Sequence, residues 1–364
     1  MPPALNGMCV LLAAGGTGGH LQPILAVADE ARRRGARVVV VTTPSQVERI
    51  PAAYTAYAME LKGITRGLSP RAHAHTLGLL AAATPRSLEI LGEARPNVAV
   101  GGGGYASGPI IALAALRGVP ALALEADAHL GVANQLLRPF VRRVCLSFPI
   151  KELQPPKFVV TGRPLSAAQL AATAAEGREA FALRDDLPVV LVFGGSQGAQ
   201  SINTACIDAF AGRELDFELV HVCGPRNYDD VRARLAAKGE RFERYHVLPY
   251  SERLAAAMAA ATLVVARAGG SVAELAAHGR PAILVPYPHA TADHQRKNAQ
   301  WMERGGAALV VDDAVLTGPL LGRLVEGLVA DPGRLAAMAA ASAALGRPDA
   351  AQRVVDEIET ILER

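Results

Sequence analysis

The chain has 364 residues, of which 51% are hydrophobic, 20% are charged and 4% are aromatic. This length suits two domains of ~100–200 residues each, and the apolar content excludes a disordered chain or a collagen-like polymer. The formal net charge of +3 is too small for the basic surface of a nucleic-acid-binding protein, so we expect no nucleic-acid partner. No stretch reaches the ~18 uninterrupted apolar residues of a membrane span, and we therefore expect no transmembrane segment.

Short β-branched segments alternate with longer helical patterns along the whole chain. In the N-terminal half, the pattern predicts strands at Met8–Ala13, Arg37–Thr42, Asn97–Val100, Val119–Leu124 and Val141–Leu146, and helices at Pro23–Arg34 and Ala106–Arg117. In the C-terminal half, it predicts strands at Val189–Phe193, Phe217–Val222, Arg241–Leu248, Thr262–Val265, Pro281–Val285 and Ala307–Val310. Continuous apolar strands followed by helices are typical of parallel sheets that are covered on both faces. The sequence therefore predicts an α/β fold with two Rossmann-like domains.

A proline-rich stretch, 154–164, lies between the two halves, and proline ends regular elements because it fixes φ. We expect an N-terminal domain over residues 1–163 and a C-terminal domain over residues 164–347. The last segment, 348–364, contains a helix from about Ala350 to Leu362, which we expect to cross back and brace the first domain.

The cysteine and histidine residues do not indicate a metal site. The four cysteines lie in or beside apolar runs without C-x-x-C spacing, as is typical of buried thiols in a reducing compartment: Cys9, Cys145, Cys206 and Cys223. His73 and His75 have no cysteine or carboxylate partner at ligand spacing. We therefore expect neither a metal nor another cofactor.

Two glycine-rich turns occupy matching positions, one at the start of each predicted domain. The first, Gly15 to His20, and the second, Gly194 to Ala199, each follow a strand and precede a helix. Such a turn leaves backbone N–H groups at the positive end of a helix, where a phosphate group can bind. The alternative is that the glycines only allow the chain to make a tight turn. Neither turn fits the dinucleotide fingerprint or the Walker A motif, which argues against an NAD dehydrogenase and a P-loop kinase. The pair favours a diphosphate held between two domains.

Several further motifs follow in an order that resembles the MurG family of N-acetylglucosaminyltransferases. The resemblance rests on Gly15–His20 with Pro23, Gly103–Pro109, Gly194–Ala199, Arg267–Gly270 with Glu274, and His289 through Asp293, His294 and Gln295 to Asn298. It implies a GT-B fold, in which two Rossmann-like domains face each other across a cleft. It also implies inverting transfer of GlcNAc from UDP-GlcNAc to the 4-hydroxyl of the MurNAc of lipid I, which gives lipid II and UDP in peptidoglycan synthesis.

The resemblance assigns the donor site mainly to the C-terminal domain. Gly195, Ser196 and Gln197 are expected at the diphosphate, and Gln295 at the GlcNAc hydroxyls. Glu274 is expected to accept hydrogen bonds from both ribose hydroxyls, which suits an ionised carboxylate. The remaining residues that the resemblance implies near the donor are Thr17, Gly18, Gly19, Asp127, Arg163, Gly270 and Ser271.

The resemblance assigns the catalytic groups and the acceptor site to the N-terminal domain. His20 and Glu125 are the implied catalytic residues, and the implied acceptor-binding residues are Gly103, Gly104, Tyr105 and Asn134. A helix N-terminus disfavours the imidazolium form of His20, so that a neutral base is available at pH 7. His20 can equally act by orienting groups through hydrogen bonds. A metal is not required, because two helix N-termini can stabilise the charge of the departing diphosphate.

The sequence departs from the family pattern at three places. Asp127 stands where the family has asparagine, which puts its hydrogen bonds to the sugar in question. The family's Gly-Asn-Pro-Val-Arg is here Gly162 to Ser166, and we expect Arg163 to reach the same diphosphate charge from its nearby position. The loop from Arg267 to Glu274 is one residue shorter than in the family pattern.

Basic and apolar residues alternate between Lys62 and Arg95. The cations are Lys62, Arg66, Arg71 and Arg86, and the apolar residues are Leu68, Leu77, Leu79, Leu80, Leu88, Ile90 and Leu91. Such a segment can rest on an anionic membrane surface, but a helix with core-facing leucines gives the same pattern. With the family resemblance, it predicts a peripheral protein at the cytoplasmic face of the bacterial inner membrane, where the lipid-linked acceptor lies.

Three other functions fit parts of this pattern. The departures around Asp127 leave open a GT-B enzyme with another glycolipid or natural-product acceptor. A UDP-GlcNAc epimerase of the same architecture requires its own acid and base carboxylates. A non-catalytic scaffold that binds a nucleotide sugar is a further alternative, against which the presence of His20 and Glu274 argues mildly.

Overall fold

The computed structural model describes residues 5–15, 18–60, 70–104, 107–239 and 243–363, without the side chains of residues 70–81. The chain divides into two compact units: the first comprises residues 1–166 and 348–364, and the second comprises residues 167–347. Over the described ranges, no helix is both long and apolar enough to cross a bilayer.

The strands and helices alternate along the chain as in other α/β proteins. The strands are β1 Cys9–Ala13, β2 Arg37–Thr42, β3 Thr55–Ala58, β4 Val98–Gly101, β5 Ala121–Glu125, β6 Arg143–Leu146, β7 Phe158–Val160, β8 Val189–Phe193, β9 Glu218–Val222, β10 Tyr245–Leu248, β11 Leu263–Ala266, β12 Ala282–Leu284 and β13 Ala308–Val310. The helices are α1 Gly18–Arg33, α2 Pro44–Val47, α3 Pro70–Ala94, α4 Gly108–Leu116, α5 Val132–Leu137, α6 Ala167–Ala171, α7 Ala174–Ala180, α8 Gln200–Phe210, α9 Tyr228–Ala236, α10 Leu254–Ala260, α11 Ser271–Ala277, α12 His294–Arg304, α13 Gly318–Val329, α14 Pro332–Leu345 and α15 Ala350–Leu362.

The first unit contains a parallel sheet with the order β3-β2-β1-β4-β5-β6-β7. The central strands β1, β4 and β5 are fully buried, because helices cover both faces. The strand order reverses between β1 and β4, and ligands of such sheets bind at the carboxyl ends of the strands beside this reversal. The edge strands β3 and β7 were not predicted, since they are only four and three residues long and both are partly exposed.

The second unit repeats this design with the order β10-β9-β8-β11-β12-β13, again all parallel. Its reversal lies between β8 and β11, where Val190 pairs with Leu263. The α/β prediction with two Rossmann-like domains is therefore confirmed. In each unit, the reversal places the loops after two neighbouring strands side by side.

Helix α15 packs against α1 in the first unit. Arg34, which follows the last residue of α1, forms ion pairs with Asp356 at 2.7 Å and Glu359 at 3.0 Å. A third ion pair joins Arg143 of β6 to Glu357 at 3.1 Å. The apolar face of α15, which includes the fully buried Val354, completes the core on this side of the sheet.

Candidate active site

In the first unit, the loops after β1, β4, β5 and β7 meet at the carboxyl edge of the sheet. His20 lies in the first turn of α1, directly after β1, and is partly buried. The loop after β4 turns at Gly103 and Gly104, which have φ values of 82° and 73°. A Cβ atom on Gly103 would lie 3.1 Å from His20 Nδ1, and one on Gly104 would lie 2.1 Å from the carbonyl oxygen of Gly15. Only glycine therefore allows this loop to lie against the imidazole ring. Of the predicted site residues, Thr17 and Tyr105 lie outside the described residues.

Helix α1 begins at Gly18, although Pro23 was expected to mark its start. Proline has no N–H group, so the carbonyl of Gly19, four residues earlier, lacks its helical donor. The Arg163 guanidinium supplies that donor at 2.5 Å and also bonds to the carbonyl of Ala126 at 3.3 Å. Arg163, which is only 8% exposed, thus ties the turn that carries His20 to the loop after β5. The structure shows these backbone partners of Arg163, and its role at the donor diphosphate stays a prediction.

Arg163→Ala should lower the free energy of unfolding by about 2 kcal/mol, because the carbonyl groups of Gly19 and Ala126 lose the charged donor that a buried guanidinium supplies. Urea unfolding of the variant measures this loss. Arg117→Ala is the matched control, because its side chain is exposed on α4's C-terminal cap, and it should stay within about 0.5 kcal/mol of the parent chain. Equal unfolding free energies for the two variants would contradict the proposed tie.

Glu125 ends β5 and organises the loop that follows it. Its carboxylate accepts hydrogen bonds from the Gly131 N–H at 2.8 Å, Asn134 Nδ2 at 2.9 Å and the Asp127 N–H at 3.3 Å. Burial raises the pKa of Glu125, and these hydrogen bonds oppose that shift. Asn134 is also buried and donates to the carbonyl of Leu124 at 2.9 Å. Both predicted site residues thus shape the loop beside the Gly103 turn; their catalytic and acceptor-binding roles stay predictions.

In the second unit, the loop after β8 presents the predicted diphosphate-binding residues. Gly195, Ser196 and Gln197 are exposed, and α8 begins behind them without a side-chain cap at Ala199. The backbone N–H groups of this turn thus lie at the positive end of an uncapped helix, which favours an anionic group. We call residues 194–199 the donor loop.

Arg267, which sequence analysis quoted only as part of a motif, joins three elements around this loop. Its guanidinium donates to Ser201 Oγ on α8 at 2.9 Å and pairs with Asp313 at 2.5 Å. It also bonds to the carbonyl of Val285 after β12 at 3.1 Å and lies 5.5 Å from the centroid of the Tyr287 ring. The long sequence separation of these partners left no local signal for this cluster.

The other predicted donor residues of the second unit follow β11 and β12 in the chain. Gly270 caps α11, Ser271 donates to the carbonyl of Arg267 at 3.2 Å, and Glu274 lies in the first turn of the helix. On α12, Gln295 Oε1 accepts from the Tyr287 N–H at 2.9 Å, which leaves the amide nitrogen close to Gly269. The parallel strands β8, β11 and β12 thus bring the predicted donor residues of this unit to one edge.

A fully buried histidine, His221, lies on β9 behind the donor loop. Its ring bonds to Tyr245 Oη at 2.9 Å and to Asn203 Oδ1 at 3.0 Å. Burial lowers the pKa of His221 to about 3, so the ring is neutral in the folded chain. Burial likewise raises the pKa of its neighbours, Cys206 to about 12 and Cys223 to about 11, which keeps both thiols protonated.

This histidine should make stability depend on pH. Below pH ~6.5 the unfolded chain binds a proton at His221 that the folded chain does not bind, so stability falls as the pH falls toward 3. The loss is ~1.4 kcal/mol per pH unit, or about 2 kcal/mol between pH 7.5 and pH 5. Urea unfolding at both pH values measures the free energy of unfolding of the parent chain and of His221→Gln. Its fall between pH 7.5 and pH 5 should be smaller in the variant by that amount. If the unfolding free energies of both chains fell equally with pH, the pH dependence would not come from His221.

Two Rossmann-like units of this topology are the architecture of the GT-B class of proteins. The N-terminal domain model of glycosyltransferase family 28 matches residues 10–146, and the C-terminal domain model matches residues 189–354. A relative from Halothermothrix orenii, described as UDP-N-acetylglucosamine--N-acetylmuramyl-(pentapeptide) pyrophosphoryl-undecaprenol N-acetylglucosamine transferase, is 36% identical over 97% of this chain and 98% of its own. One from Moorella thermoacetica with the same description is 38% identical over 98% of this chain and 100% of its own. The chain therefore belongs to glycosyltransferase family 28 and, with these relatives, to its MurG branch.

Solved structures agree with this family. The crystal structure of Acinetobacter baumannii MurG is similar with a TM-score of 0.77 and 29% identity, over 97% of this chain and 99% of that one. The calicheamicin glycosyltransferase CalG4 has a TM-score of 0.69 at 21% identity, which shows a shared fold alone. The chain is a hexosyltransferase by family.

Proposed function

We propose that this protein transfers GlcNAc from UDP-GlcNAc to the 4-hydroxyl of the MurNAc of lipid I, with inversion at the anomeric carbon. Support comes from the relatives that carry this activity in their description over nearly the whole chain. The observation that carries the proposal is the uncapped donor loop at α8 in a unit whose helix α11, after the neighbouring strand β11, bears Glu274. A nucleoside diphosphate offers phosphate oxygens to such N–H groups and ribose hydroxyls to such a carboxylate.

The second unit would bind the donor. The N–H groups of the donor loop, residues 194–199, would hold the diphosphate, and Glu274 would accept hydrogen bonds from the ribose hydroxyls. As the bond between the anomeric carbon and the β-phosphate oxygen breaks, negative charge grows on UDP. The N-terminus of α8 stabilises this charge in the transition state, which lowers the barrier to departure.

The first unit would bind the acceptor and supply the base. The 4-hydroxyl oxygen forms the new bond to the anomeric carbon from the face opposite UDP, and its proton passes to the imidazole of His20. The glycine turn at Gly103 and Gly104 holds the ring from one side. Arg163 and Glu125 fix the surrounding loops through backbone contacts, so that the imidazole is placed before the substrate arrives.

A UDP-release assay tests the proposal. UDP should appear from UDP-GlcNAc only when a lipid I analogue is present, and UDP-GalNAc and UDP-glucose should be poor donors. Acceptor-independent conversion of the sugar would indicate an epimerase, and binding of UDP-GlcNAc without release would indicate a scaffold. Release with a different acceptor alone would mean that the departure at Asp127 had redirected the enzyme.

We further propose that the first unit docks on an anionic membrane surface at the cytoplasmic face of the inner membrane. Large apolar side chains are exposed on α3, on α5 and at the ends of α4 and α5: Leu88, Leu116, Val132, Leu136 and Phe140. Exposed Arg117 and Arg138 lie next to them in sequence. Apolar groups with a rim of cations suit a surface of anionic lipids.

The structure describes only part of the segment that sequence analysis singled out for docking. Of the seven apolar residues named in that segment, three have described side chains. Ile90 and Leu91 face the core and are buried, and Leu88 is exposed. The predicted cations Lys62, Arg66 and Arg71, and the leucines at 68, 77, 79 and 80, lie outside the described residues and side chains. The docking proposal therefore rests mainly on α4 and α5.

The double variant Leu136→Glu/Phe140→Glu should bind anionic phosphatidylglycerol vesicles about tenfold more weakly, because it replaces two apolar contacts by like charges. Vesicle cosedimentation measures the change. Val315→Glu, at a 58% exposed position of the second unit, is the control and should bind like the parent chain. Equal binding by the double variant and the control would refute this surface.

A further inference from the structure

A row of buried polar side chains connects β10 to the turn that supports the donor loop. Tyr245 Oη lies 2.9 Å from His221 Nδ1, and His221 Nε2 lies 3.0 Å from Asn203 Oδ1. Asn203 Nδ2 lies 2.9 Å from the carbonyl oxygen of Cys223, just after β9. His221 and Asn203 are completely buried, and Tyr245 is 6% exposed. Unpaired polar groups at this depth would be costly, so each contact contributes to a fixed arrangement.

The chemistry of the groups fixes the direction of every bond. The carbonyl of Cys223 can only accept, so the amide nitrogen of Asn203 donates to it and the amide oxygen faces His221. That oxygen accepts, so His221 Nε2 carries the proton. Because burial keeps the ring neutral, Nδ1 is the acceptor and Tyr245 donates to it. Cys206, 3.2 Å from Tyr245 Oη, then donates its S–H to that oxygen.

The end of this row supports the donor loop through direct backbone packing. A Cβ atom on Gly198 would lie 2.1 Å from the carbonyl oxygen of Cys223, and one on Gly224 would lie 2.6 Å from the Gly198 nitrogen. Asn227 adds hydrogen bonds to the carbonyls of Gln197 at 3.2 Å and Cys223 at 3.1 Å. The backbones of the two turns are in direct contact and the Asn227 amide bonds to both, so a displacement of the Cys223 carbonyl displaces Gly198.

We propose that Asn203 and His221 are positioning residues for the donor diphosphate, an inference that rests on the proposed function. Asn203 orients the turn at Cys223 against Gly198, and His221 holds the Asn203 amide in the one orientation that permits this. Neither residue touches the substrate. Their effect reaches it through the N–H groups of the donor loop, which must point at the diphosphate together.

Binding of UDP and of uridine by calorimetry separates this role from a general loss of structure. Asn203→Asp keeps the acceptor for His221 but cannot donate to Cys223, and His221→Leu removes both ring contacts. Each should raise the Kd for UDP about tenfold, the effect of one mispositioned charge-assisted hydrogen bond, and leave the Kd for uridine unchanged. His221→Gln should restore most of the UDP affinity, because its amide can donate to Asn203.

Thr262→Val is the matched control. Thr262 Oγ1 accepts from the Val189 N–H at 3.1 Å, at the end of β8 away from the donor loop. The variant should lose stability through an unpaired backbone group and still bind UDP like the parent chain. A folded Asn203→Asp variant with the parent's Kd for UDP would overturn the positioning role, and so would an equal loss of UDP affinity in Thr262→Val.

A measurement on the parent chain tests the bond directions without any variant. Nitrogen-15 NMR at neutral pH should show His221 as the neutral tautomer with the proton on Nε2. A proton on Nδ1, or a protonated ring, would overturn the inference. Failure of the parent chain to bind UDP at all, with the Nε2–H tautomer present, would instead overturn the proposed function and the positioning role that depends on it.

Discussion

Replacement of His20 by alanine is expected to lower the rate of transfer by ~10²–10⁴-fold, the range found when a general base is removed. The Kd for UDP-GlcNAc should change little, because the donor loop and Glu274 belong to the other unit. Single-turnover kinetics, with donor binding measured separately by calorimetry, distinguishes the two quantities. The expected effect is large because the imidazole is held against Gly103 before substrate binds.

His20→Gln separates a base from a group that only orients the substrate. Glutamine forms hydrogen bonds but cannot take a proton at neutral pH, so a base predicts the same loss as in His20→Ala. If glutamine retained most of the activity, His20 would be an orienting residue.

Glu274→Ala is expected to raise the Kd for UDP-GlcNAc by about 10- to 100-fold, since hydrogen bonds to a charged group contribute about 1.5–3 kcal/mol. The carboxylate stands in the first turn of α11, next to Gly270 and Ser271. Donor titration by calorimetry measures the change. Glu303→Ala, which removes an exposed carboxylate from α12, is the control and should bind the donor normally.

Deoxy analogues of UDP test which groups Glu274 contacts. If it accepts from the ribose hydroxyls, the parent chain should bind 2′-deoxy-UDP more weakly than UDP, whereas Glu274→Ala should bind both about equally. Additive losses from the variant and the analogue would show that the carboxylate and the 2′-hydroxyl act independently, and the ribose assignment would then be wrong.

Much of the fold was predictable because its determinants are local. The apolar runs gave the bounds Arg37–Thr42 of β2 and Val189–Phe193 of β8 correctly, and the terminal helix was expected at Ala350–Leu362 as observed. The start of α1 was wrong, because proline is common in the first turn of a helix and Pro23 was taken to mark it. The structure tolerates Pro23 further inside the helix because Arg163 supplies the missing donor.

The candidate site was only partly predictable, because some of its contacts join residues that are far apart in the sequence. Glycine turns and the carboxylate at Glu274 follow strands directly, so that parallel topology brings them to one edge. The groups that hold those turns come from distant parts of the chain. Arg267 pairs with Asp313, and Asn203 is oriented by His221, through contacts that no local pattern records. The sequence thus indicates the groups that would touch substrate better than those that position them.

The most direct test of the proposed transfer is the structure of its product. The protein should be incubated with UDP-GlcNAc labelled with carbon-13 in the sugar and a lipid I analogue, and the product examined by NMR. The proposed function predicts a single new glycoside in the β configuration on the 4-oxygen of MurNAc, formed together with UDP. An α-linked sugar, another linkage position or a labelled epimer without a new glycoside would contradict it.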